Sequence, residues 1–256
     1  MNWDQTRIER RLLALKSLGV ISVMGVETKK LEAVLKRIKK LDYFRLLGVR
    51  RSSTNDELVA ALEAKLSEYG GFAVEGDAPS VRRVREEIAE VIESAHAVLA
   101  DATEKSIYSR SIQMGQDFNQ PEVRKKLRQE YLVSRGKSLL AGEDYSGAIE
   151  ALEEALKAGS EDPIIHISLG WAQFLDSDKG QAAAIDAVAR VEVALKINPA
   201  SDHAHLTIGK IYSLTDELSL AKRHLSRATE INGDNHEAWA QLRLLNQRKS
   251  SPGIQL

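Results

Sequence analysis

The chain has 256 residues, enough for about two domains, with 43% apolar residues, only 5% aromatic ones and a net charge of −1. It has no Cys, which excludes disulfides, thiolate metal sites and a Cys nucleophile. No apolar run approaches the about eighteen residues that cross a bilayer, and the polar, mixed-charge N-terminus lacks the apolar core of a secretory signal, so a soluble cytoplasmic protein is expected. With so few aromatics, Ala, Leu, Ile and Val must fill the core, and side chains of that size suit helices packed at close range.

A first helix is predicted over 3–18, ended by Gly19. The apolar stretch 19–26 reads as a turn, a brief strand or the remnant of a larger domain. Thr28 reads as the N-cap of a basic amphipathic helix over 28–41. Leu31, Val34, Leu35, Ile38 and Leu41 form its apolar side, and Lys29, Lys30, Lys36, Arg37, Lys39 and Lys40 its basic side. Residues 1–41 hold ten Lys/Arg against four Asp/Glu, a net +6. Such a block can attract phosphate or anionic lipid. No aromatics interleave the cations, so a nucleic-acid platform is poorly supported and the solvated face of a helix is the plainer reading.

The segment 42–113 is acidic, nine Lys/Arg against thirteen Asp/Glu. Gly48 ends a short helix. Thr54 with Glu57 three residues on forms a capping-box pattern. A helix follows with Leu58, Ala61, Leu62 and Leu66 on one side, ending near Tyr69-Gly70-Gly71. Pro79 opens a long helix whose stripe is Val81, Val84, Ile88, Val91, Ile92, Ala95 and Leu99. A short helix through Ile107, Tyr108 and Ile112 closes the segment, and 114–122 reads as a linker. Three places in 42–113 resemble a J domain, the helical module of DnaJ-type co-chaperones: Asp42-Tyr43-Phe44-x-x-Leu47-Gly48-Val49, Ser94-Ala95-His96-x-Val98-Leu99-Ala100-Asp101, and Glu104-Lys105-x-x-Tyr108. The family's working feature is a His-Pro-Asp tripeptide between its second and third helices, which engages a chaperone ATPase. Here that loop is Tyr69-Gly70-Gly71-Phe72-Ala73-Val74-Glu75-Gly76, without the tripeptide. The family's second helix is basic; here Asp56, Glu57, Glu63 and Glu68 stand against Lys65 alone. Like charge then faces an acidic chaperone surface, which disfavours docking. The resemblance therefore implies a degenerate J-like bundle that does not stimulate ATP hydrolysis.

From about Val123 the chain repeats one pattern. Gly136, Gly170 and Gly209 recur in predicted first helices; Ala148, Ala187 and Ala221, then Ala155, Ala194 and Ala228, recur in second helices. Gly136 to Gly170 and Ala194 to Ala228 span thirty-four residues, whereas Gly170 to Gly209 and Ala155 to Ala194 span thirty-nine. Five extra residues are expected at the turn 176–180. A glycine inside a helix costs about 1 kcal/mol against Ala, so its recurrence needs a packing reason. This stretch resembles tetratricopeptide repeats (TPR), which are stacked helical hairpins. The fold expected is all-α: an N-terminal helical segment (1–41), the J-like bundle (42–113), a linker (114–122) and a three-repeat TPR solenoid (123–249; repeats 129–162, 163–201 and 202–235, cap helix 236–249), with a disordered tail (250–256).

In that family the first helices line a concave groove. Its expected lining is Val133, Lys137 and Leu140; Ile164, Ile167, Trp171, Phe174 and Leu175; and His203, Leu206, Lys210 and Leu214. TPRs that clamp the C-terminal carboxylate of heat-shock chaperones use a Lys/Asn/Arg set. The positions assigned to it here hold Val133, Lys137, Ser168, His203 and Thr207, with one fitting cation, which argues against that clamp. An apolar helix or extended peptide of a protein partner is the better ligand, unless the chain's own N-terminal part covers the groove. His203 and His205 are two apart on a helix and diverge. No H-E-x-x-H, phosphate-binding glycine loop or G-x-S-x-G occurs. The reading is a non-catalytic adaptor with no cofactor, metal or small-molecule substrate. The alternatives are a chaperone for an apolar client, or a peripheral membrane or nucleic-acid binder acting through the basic helix.

Overall fold

The structure is a computed structural model that describes residues 20–70 and 77–250, with side chains from Glu27 to Gly70 and Asp77 to Gln247. The predicted helix 3–18, most of the loop expected over 69–76 and the tail after Ser250 lie outside the described residues. The described residues form twelve helices and no strand, an all-α protein. None of these helices is long and apolar enough to cross a membrane. The chain divides into two compact units, Met1–Ser109 and Arg110–Leu256.

In the first unit α1 (Val20–Ile38), α2 (Tyr43–Leu47), α3 (Asn55–Tyr69) and α5 (Ala102–Gln113, up to Ser109 in this unit) accompany the long α4 (Pro79–Ala100). Helices α1, α2 and α3 all pack against α4. Its stripe Val81, Val84, Ile88, Ile92, Ala95 and Leu99 is buried, as period 3.6 requires. Asp42 caps α2 by accepting from Arg45 N–H at 3.0 Å. Thr54 and Glu57 close the capping box that their spacing predicts. Tyr43 and Tyr108 stack with ring centroids 4.4 Å apart, and Tyr43 N–H donates to the Tyr108 hydroxyl at 2.7 Å. Arg85, nearly buried, donates to the Gly70 carbonyl at 2.8 Å and pairs with Glu27 at 2.9 Å and Asp77 at 3.0 Å. One guanidinium thus ties α1, the end of α3 and the residue after the loop to α4. The basic helix differs from expectation: α1 spans Val20–Ile38, so Thr28 lies inside the helix and is not its N-cap. An N-cap is worth about 1 kcal/mol, and propagation adds a backbone hydrogen bond for each residue fixed.

The second unit is a series of helical hairpins: α6 (Pro121–Ala141) with α7 (Tyr145–Lys157), α8 (Pro163–Asp176) with α9 (Gln181–Ile197), and α10 (Asp202–Leu214) with α11 (Leu218–Ile231), followed by α12 (His236–Ser250). Gly136, Gly170 and Gly209 occupy equivalent places. A Cβ on Gly136 would meet Leu152 Cγ at 2.5 Å; on Gly170, the Ala187 carbonyl and Val191 Cγ2 at 2.7 Å; on Gly209, Leu225 Cγ at 2.6 Å. In each hairpin the second helix lies where a side chain would otherwise stand. Ala148, Ala155, Ala187, Ala194, Ala221 and Ala228 are all at most 1% exposed, so they bring the helices together at short range. The five extra residues of the middle repeat are spread out. Measured from the glycines and alanines, α8 is one residue longer at its end, the turn has one more residue, and α9 starts three residues earlier. Most of the insertion is added helix, which keeps its backbone groups paired.

Candidate functional site

Helix α8 packs against α6 and α10, and α10 against α12, so these four helices present neighbouring faces. Which face is set by the glycines. Residues three before and four after a helical residue share its face, whereas the next residue is turned by about 100°. Ile167 and Leu206 stand three before a glycine, and Phe174 four after one. The structure buries them with the glycines, at 3%, 3% and 0% exposure. Ile167 and Phe174 join the core of α8, α9 and α10; Leu206 joins that of α10, α11 and α12. These three are hairpin core and do not line the groove. Val133 and Leu140, also on the glycine face, are half-buried.

The residue just after each glycine is turned off that face: Trp171 on α8 and Lys210 on α10 line one cavity, and Lys137 on α6 borders another. The lysine at 137 is exposed and makes no ion pair among the described residues. Trp171 is half-buried, and the Lys210 ammonium lies 4.5 Å from its ring centroid. The same ammonium donates to Glu237 Oε1 at 2.7 Å. Leu214, one turn after Lys210, is 54% exposed. His203, two turns before Lys210, is also exposed, although its imidazole pKa is held down. Desolvation is the main cause; Asp202 and Glu237 pull the value up, and Lys137 and Lys210 push it down. Ile164 and Leu175, half-buried, stand seven before and four after Trp171 and complete the face of α8. Ser168 and Thr207, two of the five positions assigned to a carboxylate clamp, are buried at 6% exposure.

Helix α12 supplies a further wall. Leu244 stands thirty-four residues after Lys210, and Glu237 thirty-four after His203. Extending the repeat period past the last hairpin would have found both. Leu244 is 53% exposed. With Gln241, Leu245, Leu214, Ser213, Lys210 and Trp171 it lines a cavity of about 190 Å³. A second, wider cavity of about 480 Å³ borders Lys137 and Val133 and includes Lys126, Gln129, Glu130 and Ser134.

Helix α10 also separates its histidines. His205 turns from the groove and packs against His224 of α11, Nδ1 to Nδ1 at 3.1 Å. The basic residues Lys29, Lys30, Lys36 and Arg37 of α1, and Lys39 and Lys40 just after it, are exposed; Arg37 lies 5.5 Å over the Tyr69 ring and Lys39 pairs with Glu87 at 3.5 Å. Among the described residues no cluster of three or more His, Asp or Glu could hold a metal ion.

No protein-family model matches the chain, and no curated protein matches it. Among solved structures it is similar to the first TPR of Spaghetti (RPAP3) bound to the HSP90 peptide SRMEEVD, at 21% identity and TM-score 0.41 over 48% of this chain and 94% of that one. It is also similar to the first TPR domain of human RPAP3, at 20% identity and TM-score 0.42 over 48% and 92%. A third likeness is to the Sgt2 TPR domain of Aspergillus fumigatus, at 18% identity and TM-score 0.41 over 50% and 87%.

Proposed function

We propose that this chain is a non-catalytic adaptor whose hairpin unit binds a segment of a partner protein along α6, α8, α10 and α12. The observation that carries the reading is the half-open cavity of Trp171, Leu214 and Leu244 beside Lys210. Two leucines more than half exposed in one concave site hold apolar area in water, and covering it yields about 25 cal/mol per Å². Exposed apolar patches rimmed by polar groups serve recognition. The J-like unit supplies a second docking surface and does not stimulate an ATPase.

Affinity capture from the source cells, wild type against Leu214→Glu with Leu244→Glu, tests the groove. Both positions are exposed, so the helices fold and the partner is lost. Retention of every captured protein by the double variant refutes the assignment. An ATPase assay with the cognate chaperone tests the first unit, and stimulation there would refute its degenerate status.

A further inference from the structure

Lys137 and Lys210 occupy the same position in different hairpins, but their surroundings differ. Lys210 has its own carboxylate, Glu237 at 2.7 Å, and rests on Trp171. A ligand carboxylate there would find a neutralised cation and a like charge beside it. Lys137 is exposed and makes no ion pair among the described residues. His203 lies within electrostatic range of both lysines and of Glu237. Its neighbour Asp202 is held by Asn232 at 2.8 Å and Asn235 at 3.0 Å. Charge therefore differs along the groove: at the α6 end Arg110, Lys126 and Lys137 outnumber Glu130 and Asp162, with Glu130 paired to Arg110, whereas the α12 end holds a compensated pair beside an apolar cavity.

We propose that the groove reads a partner segment with one carboxylate side chain, met by Lys137, and one large apolar side chain seated against Trp171, Leu214 and Leu244, and that Glu237 rejects a second carboxylate at Lys210. The proposal rests on the groove reading above and adds the ligand's chemistry and direction. Packed helices lie about 8–10 Å apart, so two steps separate the subsites by roughly 20 Å. That distance is about six residues of extended chain or about thirteen of helix. Specificity then comes partly from repulsion: Glu237 sets the groove against densely acidic segments.

The probe is a phage-displayed random library of about 16 residues, long enough for either conformation, selected on the full chain. Recovered sequences are then synthesised and titrated by fluorescence anisotropy. Recovered peptides are expected to carry Asp or Glu and a Leu, Phe, Met or Trp at one of those separations. Lys137→Glu weakens them about fivefold or more. Glu237→Gln strengthens versions with a second acid about two- to fivefold more than it strengthens the one-acid originals. Peptides that lack an acid, peptides that bind Lys137→Glu like wild type, or second-acid versions that Glu237→Gln does not strengthen overturn the charge assignment. If they still fail on Leu214→Glu with Leu244→Glu, the groove itself survives as a site. Peptides that bind that double variant unchanged, or a library that enriches nothing, overturn both.

Discussion

Gly170→Ala is the sharpest test of the hairpin packing. Two effects oppose each other. Alanine is the better helix former by about 1 kcal/mol, so an isolated α8 would gain. Its Cβ would stand 2.7 Å from the Ala187 carbonyl oxygen and 2.7 Å from Val191 Cγ2. The carbonyl is helix backbone and cannot rotate away, so α8 and α9 must separate by roughly half an ångström or more. Overpacking of this kind costs about 1–3 kcal/mol and occasionally more. With the backbone as the obstacle the upper part of that range applies, and the net loss is about 2 kcal/mol. For a unit of this size the melting temperature falls by roughly 5 °C. Gly142→Ala is the control. Its φ of −87° suits any residue, and a Cβ there meets only carbonyl oxygens at 3.5 Å. Thermal unfolding followed by helical circular dichroism reads both. A Gly170→Ala protein that melts at or above wild type refutes the notch argument.

Three further outcomes follow from the same geometry. Phe174→Ala costs about 3–5 kcal/mol, because the ring is 0% exposed; Trp171→Ala costs less than half of that, and denaturant midpoints rank the two. The His224 pKa is depressed to about 4, first by desolvation and then by His205 and Arg223. The folded state prefers the neutral ring, so this contribution is intact above pH 6.5 and lost as pH falls toward 4. With the ring only partly buried it amounts to about 2 kcal/mol, and His224→Gln should flatten that part of the stability profile. The Tyr108 pKa is raised to about 12, chiefly by desolvation, against the N–H of Tyr43 that would stabilise the phenolate. Its contribution is present below pH 10 and lost between 10 and 12. Tyr108→Phe removes that alkaline loss and costs about 1 kcal/mol at neutral pH, since the Tyr43 N–H loses its acceptor.

Periodic features were legible in the sequence. The glycine and alanine notches repeat because each hairpin solves one steric problem in one way, so spacing alone located them. Thr54 with Glu57 was legible because a capping box is a local contract between four residues. Thr28 misled for a related reason: a local cap signal says nothing about whether the chain before it continues the helix, and α1 does continue back to Val20. The insertion in the middle repeat looked like a turn because Asp, Ser, Lys and Gly cluster over 176–180, yet most of it became the first turn of α9. Arg85 gave no signal, since its partners Glu27, Gly70 and Asp77 converge only in three dimensions.

On the hairpin helices α8 and α10 hydrophobicity marks packing rather than ligand contact. Ile167, Phe174 and Leu206 are apolar because they share the glycine face and fill the hairpins. The face turned by one residue carries little of the folding energy, so its chemistry is set by something other than packing. That face holds a lysine, a tryptophan on which a second lysine rests, and a leucine from the helix after the last hairpin. An exposed Leu244 at 53% is unrewarded in the isolated chain, whereas a buried Phe174 is fully accounted for by its neighbours. The two faces therefore answer to different experiments: substitutions on the glycine face report on stability, and substitutions at Lys137, Leu214, Glu237 and Leu244 report on recognition with the fold held constant.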